Sequence, residues 1–385
     1  MSTRPESHTP KTFEDAAAAL AAAGAEGRAV RIRGGGTKLG WGHRTDESVP
    51  ELRTIGLNRI VEHNVGDLTA VLDAGVRLAD AQEQFTGAAQ MLALDPPLGL
   101  GHDQDATIGG VIATADCGPM RHRYGAPRDL VVGITVALSD GTIARAGGKV
   151  IKNVAGYDLA KLFAGSFGSL GLILSVSVRL HPQPVATATA LGAATDAEQL
   201  ATASRELAAA PLELEALDVA WRSGRGGSLA RSAGAEAARR AERVAERMKA
   251  AGLRSVEVVR EEDEPLWARQ RAGQRSQNAA LVRVAARPSA LHQVLSAADA
   301  CAGTLVGRAA FGTSYIELDP EAVSQLMQRL PSGANPLLLD APPELLREVD
   351  PWGAAPGPAL ELMRRVKARF DPSGACNPGL FVGGI

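Results

Sequence analysis

Two glycine-rich stretches hold the residue types in this chain that could do chemistry. Gly34-Gly35-Gly36-Thr37-Lys38-Leu39 follows the alternating run that ends at Arg33, and Thr107-Ile108-Gly109-Gly110 opens the densest part of the sequence, residues 106–180. Consecutive glycines let backbone N–H groups turn inward and approach a ligand, because no Cβ intervenes and positive φ is open to them. A nest of such N–H groups suits an anion, above all a pyrophosphate, with the Thr37 hydroxyl and the Lys38 charge beside it. A flexible turn is the other reading of residues 34–42. The loop does not fit G-x-G-x-x-G, since position 39 is Leu and no helix pattern follows at once, and the chain has no G-x-x-x-x-G-K-[ST]. Neither a Rossmann fold nor a P-loop is supported.

Other chemistry is sparse. His8, His43, His63, His102, His122, His181 and His292 are scattered, with no H-x-H and no pair at helical ligand spacing, so no metal site is expected. Cys117, Cys301 and Cys376 form no C-x-x-C, which argues against an iron–sulfur cluster or haem attachment within the chain. Low cysteine use fits a reducing cytoplasm. A net charge of −2 with 22% charged residues gives no reason to expect nucleic acid or a membrane surface as partner. No apolar run approaches the ~20 residues that span a bilayer. The first ten residues lack the apolar centre of a secretory signal, and 1–11 read as a disordered start.

The elements that must position the glycine loops alternate along 385 residues, enough for two or three units. Residues 12–23 read as a helix with Thr12 as N-cap and Gly24 as stop. Strand patterns at 28–33, 57–61 and 68–76 precede a helix at 78–85, and 91–97 ends a short strand at Pro96-Pro97. Residues 130–137 and 142–145 form a hairpin about Ser139-Asp140-Gly141. A helix at 159–163 leads through Gly165, Gly168 and Gly171 into a strand at 172–180. Beyond Pro182 the chain turns alanine-rich, with strands at 212–221, 255–259 and 280–285. Helices follow at 236–251, at 265–271 and from Ser289 to Ala300, and 304–318 reads as one bent strand or a hairpin. This pattern suggests an antiparallel sheet with helices on one face. The last helix covers 359–370.

In this order, RGGGTKLGWG, the Asp95-Pro96-Pro97 loop, ATIGGVIAT, Arg123-Tyr124-Gly125, KNVAGYDLAKLFAGSFGSLG and FDPSGACNPG resemble the flavoprotein family of vanillyl-alcohol oxidase and p-cresol methylhydroxylase (PCMH) type. Within it they are similar to the smaller FAD-binding subunits of bacterial glycolate oxidases. The resemblance runs from about residue 12 to the C-terminus. It implies an α+β fold: a two-lobed PCMH-type FAD-binding domain over 12–185, with lobes of about 12–75 and 76–185. An antiparallel α+β cap over 186–340 would follow, and 341–385 would return to the flavin domain. FAD would lie between the lobes, its pyrophosphate held by residues 34–38 and 107–110. Gly156-Tyr157-Asp158 and residues 170–173, including Gly171 and Ile173, would flank the ribityl chain and a ring. Arg33, Leu39, Pro96, Ala113, Thr114, Gly118 and Tyr124 complete the cofactor contacts that the resemblance implies.

Two departures qualify this. Family members that tether FAD through the glycine loop place His where this chain has Thr37, so non-covalent FAD is expected. Phe167 replaces an acidic residue found in related larger subunits. The catalytic relatives also carry a late His-Gly-His-x-Gly-Asp-Gly-Asn stretch, which this chain lacks, so no catalytic residue is assigned. The nearest groups are Arg121, His122, Arg123, Lys152 and Tyr157, each suited to holding phosphate or sealing a lobe as well as to chemistry. A reduced flavin must pass its electrons on. The resemblance implies a sister FAD catalytic subunit and an iron–sulfur subunit as partners, a small 2-hydroxy acid as substrate, and a cytoplasmic chain peripheral to the inner membrane through that complex. A self-sufficient 2-hydroxyacid dehydrogenase and a scaffold that has lost FAD are the alternatives.

Overall fold

The computed structural model describes residues 7–44, 46, 48–99, 105–148, 159–353 and 357–385. The chain divides into two compact units, the first made of Met1–Cys117, Gly125–Gln183 and Ala354–Ile385, the second of Gly118–Tyr124 and Pro184–Gly353.

In the first unit, helix Phe13–Ala25 begins at Thr12, whose Oγ1 accepts the Asp15 N–H at 3.1 Å. It runs through Gly24 rather than stopping there. A Cβ at Gly24 would press on the Ser139 carbonyl, and the left-handed turn falls at Gly27, φ +63°. Ala16, Ala17, Leu20 and Ala23 bury one stripe of this helix against Leu52, Leu57, Ala137, Leu172 and Leu174. Full burial of Leu20 alone contributes about 2 kcal/mol.

Two larger sheets organise this unit. One is parallel, in the order Ser7–His8, Glu51–Arg53, Arg31–Arg33. The other is antiparallel, in the order Ile60–Asn64, Thr69–Asp73, Leu172–Arg179, Val131–Ala137, Ile143–Gly147. Its expected hairpin is present: Leu138 N–H donates to Thr142 O and Gly141 takes φ +85°. The sheets part between residues 53 and 60 rather than at 75, because strand 69–73 pairs with strand 172–179. From the other end of the chain, Cys376 bridges Val30 in parallel, so late residues extend an early strand.

The second unit is built on eight antiparallel strands: Arg254–Val259, Thr187–Ala194, Arg225–Ala233, Ala216–Arg222, Thr304–Arg308, Thr313–Leu318, Ala280–Ala285 and Asn335–Asp340, in that spatial order. Alternation decides its faces. Leu217, Val219 and Trp221 share the main core with residues of helices Ala197–Ala209, Ala237–Ala250 and Leu291–Ala300. Ala216, Asp218 and Ala220 alternate with them on the opposite side. Strand Thr187–Ala194 begins just past residue 185, and the helix expected from Ser289 starts instead at Leu291, with Ser289 in a short 3₁₀ turn before it. Residues 304–318 are a hairpin, not a bent strand, because Gly312 takes a left-handed φ of +62° between two strands.

Candidate functional site

The first unit contains a cleft of about 880 Å³, counting its open mouth. Its walls come from residues 31–39, from Thr107 and the helix Ile108–Thr114, from Phe167 to Ile173, and from Asn377 and Leu380. Close approach of main chains makes it. A Cβ on Gly34 would strike Thr107 Oγ1, and one on Gly35 the carbonyl of Asp105. Gly36 adopts φ +85° beside the Arg33 guanidinium. The bare faces of Gly34 and Gly35 therefore serve contact between the two loops.

The amides divide unequally between the loops. Ile108 and Gly109 donate to Val76 O at 2.9 Å and Ala74 O at 2.8 Å, while Gly110 N–H reaches Thr107 Oγ1 at 3.4 Å. These N–H groups are engaged by protein, so Gly109, Gly110, Ala113 and Thr114 supply a wall rather than a nest. In the first loop, the N–H groups of Gly35 and Gly36 have no acceptor among the described residues. Arg33 Nε is also buried with no hydrogen-bond partner there, although Arg33 Nη1 donates to both Glu51 carboxylate oxygens at 3.0 and 3.2 Å. Orphan donors at the wall of a cleft are what an anionic ligand satisfies. The residues present fit a dinucleotide's pyrophosphate at 33–37.

Lys38 was expected to lend its charge to that phosphate. Instead its side chain is 7% exposed and its Nζ lies 3.3 Å from the Asp116 carboxylate, itself 2% exposed. Sequence reasoning missed Asp116, 78 positions away. The far wall is sealed by Asn377, whose Nδ2 donates to Phe167 O at 2.8 Å and whose Oδ1 accepts the Ile32 N–H at 2.7 Å. Phe167 is held at φ 55°, rare for an aromatic residue, by its N–H bond to Ala113 O at 2.8 Å. Behind Asn377, Asp371 accepts the Cys376 N–H at 2.9 Å and Lys367 Nζ at 2.6 Å. Burial alone would raise the Asp371 carboxyl, but bonds from Lys367 and the Cys376 N–H hold it below the usual range. Burial and the nearby Asp371 charge push the Cys376 thiol up, which leaves it inert.

Of the cofactor contacts expected from sequence, the cleft gathers Arg33, Gly34, Gly35, Gly36, Thr37, Lys38, Leu39, Thr107, Gly109, Gly110, Ala113, Thr114, Gly171 and Ile173. Ile108 and Pro96 are buried but do not line it. Gly118 and Tyr124 belong to the second unit. There Tyr124 O–H donates to Glu215 at 3.3 Å, and burial with the Glu215 charge pushes the phenol up to about 12. Gly156, Tyr157, Asp158, Lys152 and His102 lie outside the described residues. Arg121 lies over the Phe311 ring at 5.2 Å, His122 meets that ring edge-on at 6.0 Å, and Arg123 donates to Glu213 O at 3.4 Å, all within the second unit. Burial lowers the His122 pKa. Sequence reasoning missed Arg31, Thr54, Ala74, Asn377 and Leu380 as lining residues. The motif Asn377-Pro378-Gly379 was the signal for Asn377.

The family described as an FAD binding domain matches residues 8–147. Glycolate oxidase subunit GlcE of Escherichia coli (strain K12) is 37% identical over 128 residues, 33% of this chain and 36% of that protein. Glycolate oxidase subunit GlcD of Bacillus subtilis (strain 168) is 35% identical over 189 residues, 48% of this chain and 39% of its own length. The matched segment thus spans well under half of either relative. Among solved structures, alkyldihydroxyacetonephosphate synthase superposes with a TM-score of 0.68 over 97% of this chain and 76% of its own, at 13% identity, which shows a shared fold and nothing more. The matched family covers both glycine loops: residues 8–147 match an FAD binding domain and are similar to the corresponding parts of glycolate oxidase subunits, and FAD is the cofactor.

Proposed function

We propose that this chain is the FAD-binding subunit of a glycolate oxidase, or 2-hydroxyacid dehydrogenase, complex. It works beside a sister FAD catalytic subunit and hands electrons towards an iron–sulfur partner. One observation carries the reading: among the described residues the cleft is lined by no histidine, tyrosine or carboxylate. Oxidation of a 2-hydroxy acid needs a base for its hydroxyl proton. The sequence also lacks the His-Gly-His-x-Gly-Asp-Gly-Asn stretch of catalytic relatives.

Bound FAD supplies two-electron acceptance at its flavin ring. The chain's own residues bind and orient it. Arg33 Nε and the Gly35 and Gly36 amides would hold the diphosphate, Ala74, Ala113, Leu172 and Ile173 give apolar walls, and Phe167 with Asn377 closes one side. The three cysteines, all buried and unpaired with one another, leave electron exit to another molecule. No helix among the described residues is long and apolar enough to cross a membrane, and the reading places the chain in the cytoplasm, at the inner membrane only through its partners.

The test is to purify the chain alone and co-expressed with the sister and iron–sulfur subunits, then compare flavin content and glycolate-dependent dye reduction. The chain alone should hold FAD but oxidise glycolate at a small fraction of the complex's rate. Equal rates would establish the self-sufficient dehydrogenase instead. Acid precipitation should release the flavin into the supernatant, because Thr37 offers no ring nitrogen for attachment.

A further inference from the structure

In the second unit, helix Glu264–Ala272 packs through Trp267 on Ala216 and Leu229, the side of the eight-stranded sheet away from the main core. The start of this helix is fully engaged. Asp263 accepts from Thr187, Thr189 and Arg231, and Trp267 Nε1 donates to Thr189 Oγ1 at 2.8 Å. One turn on, Gln270 falls on the same face as Trp267 and is 4% exposed, yet its Oε1 is buried with no hydrogen bond. Its Nε2 makes none either among the described residues. A buried carboxamide with both ends unpaired bears the desolvation cost of a carbonyl and an N–H, which protein interiors nearly always offset with a partner.

Gln270 borders a groove of about 950 Å³, counting its open mouth. Register makes the floor. Ala193, Gly227, Ala220 and Val306 stand side by side on four neighbouring strands, so three of these four positions carry a methyl group or less. Two residues along, Leu191 and Leu229 are partners and rise as a wall, and Leu266 of the helix lines the groove with Gln270. Glu257 and Arg269, also at the groove, are exposed and of opposite sign, which favours a neutral occupant.

We propose that this groove is a second ligand site, for a neutral planar heterocycle with a lactam edge, an N–H beside a C=O. The ring lies on the small-residue floor, its N–H donates to Gln270 Oε1, and its carbonyl accepts from Gln270 Nε2. A carboxamide and a lactam each set one donor next to one acceptor, so a single flat group satisfies both ends at once. A plain hydrocarbon ring fills the floor and leaves Gln270 unpaired. None of these residues lines the flavin cleft, so the inference stands apart from the glycolate reading.

Full-length protein with excess FAD is titrated with 2-pyridone by ligand-observed saturation-transfer NMR. N-methyl-2-pyridone, which keeps the ring and carbonyl but has no N–H, is the comparison. 2-Pyridone should bind about tenfold more tightly. Gln270→Leu should abolish that preference and leave the unfolding temperature equal or higher, since it removes the unpaired carboxamide. Ala193→Leu fills the floor with Gln270 intact, should remove binding of both probes, and carries the test if Gln270→Leu does not fold. Gln274→Leu, one turn beyond Gln270 and not lining the groove, should change neither affinity by more than about twofold. Equal affinity for the two pyridones overturns the proposal, as does a 2-pyridone signal that survives both Gln270→Leu and Ala193→Leu. Absence of 2-pyridone binding at about 10 mM overturns it too.

Discussion

The cleft of the first unit and the polar side of the second unit's sheet are both rich in buried polar atoms, and they are built in opposite ways. In the cleft, polarity belongs to the main chain, exposed by glycines at 34–36, and donors are left over for a ligand. On the sheet, polarity belongs to side chains that bind one another. Arg308 donates to Asp218 at 2.7 Å, Arg231 to Asp263 at 2.9 Å, and Arg275 to Asp340 at 3.0 Å. Burial raises the Asp218 carboxyl despite Arg308. Thr187 and Thr189 both donate to Asp263, and Trp267 Nε1 donates to Thr189 Oγ1. The difference teaches where a ligand's partners come from. A backbone-built site has its geometry set by close approach and keeps main-chain donors in reserve, whereas the side-chain pairs hold one another and give rigidity, even with a buried atom such as Asp218 Oδ1 left over.

Breaking each region should therefore damage a different property. The largest effect is expected from Gly35→Ala, whose new Cβ meets the Asp105 main chain and must part the two loops. FAD affinity should fall by about a hundredfold or more while the second unit's unfolding is unchanged, read by fluorescence titration and calorimetry. Next comes Asp218→Ala, which withdraws the carboxylate from buried Arg308 and should cost the second unit about 3–5 kcal/mol in denaturant unfolding with FAD affinity unmoved. Loss of FAD affinity in that variant would mean the two regions are not independent. Asp371→Asn should cost about 1–3 kcal/mol at neutral pH, because it removes a charge that accepts several bonds behind the cleft. Its pH signature is specific. The Asp371 carboxyl is held below its ordinary range, so its stabilisation is complete above about pH 4 and is lost as pH falls through the lower folded value. Wild type should thus lose stability more steeply than the Asn variant below about pH 4, measured by chemical denaturation across that range. The smallest effect belongs to Gly40→Ala. Nothing lies within 4 Å of the added Cβ and its φ is not left-handed, so FAD affinity should stay within about twofold.

What the sequence shows plainly is what short-range physics decides. The Thr12 cap, the Ser139-Asp140-Gly141 hairpin, helix Leu159–Phe163 and strand Ala280–Ala285 each follow from neighbours within a few residues. The glycine loop at 34–38 was legible as a ligand loop, but the reason for its glycines was not, because Thr107 and Asp105 are their partners and lie some 70 positions away. Asp116 could not be linked to Lys38 for the same reason, nor Asn377 to Phe167 and Ile32. Periodicity also failed where both sides of a strand are small. Strand Thr187–Ala194, TATALGAA, shows no apolar and polar alternation, and only its place in the eight-stranded sheet gives it a face.

The bridge from Val30 to Cys376, with Asn377 reaching Ile32, carries a consequence for how the protein is made. A ribosome emits the glycine loop more than 300 residues before the strip that seals it. Throughout translation the nascent chain has a half-built pouch, open along the side that Asn377 and Leu380 will close, and the vitamin-derived cofactor can be locked in only once synthesis has passed that point.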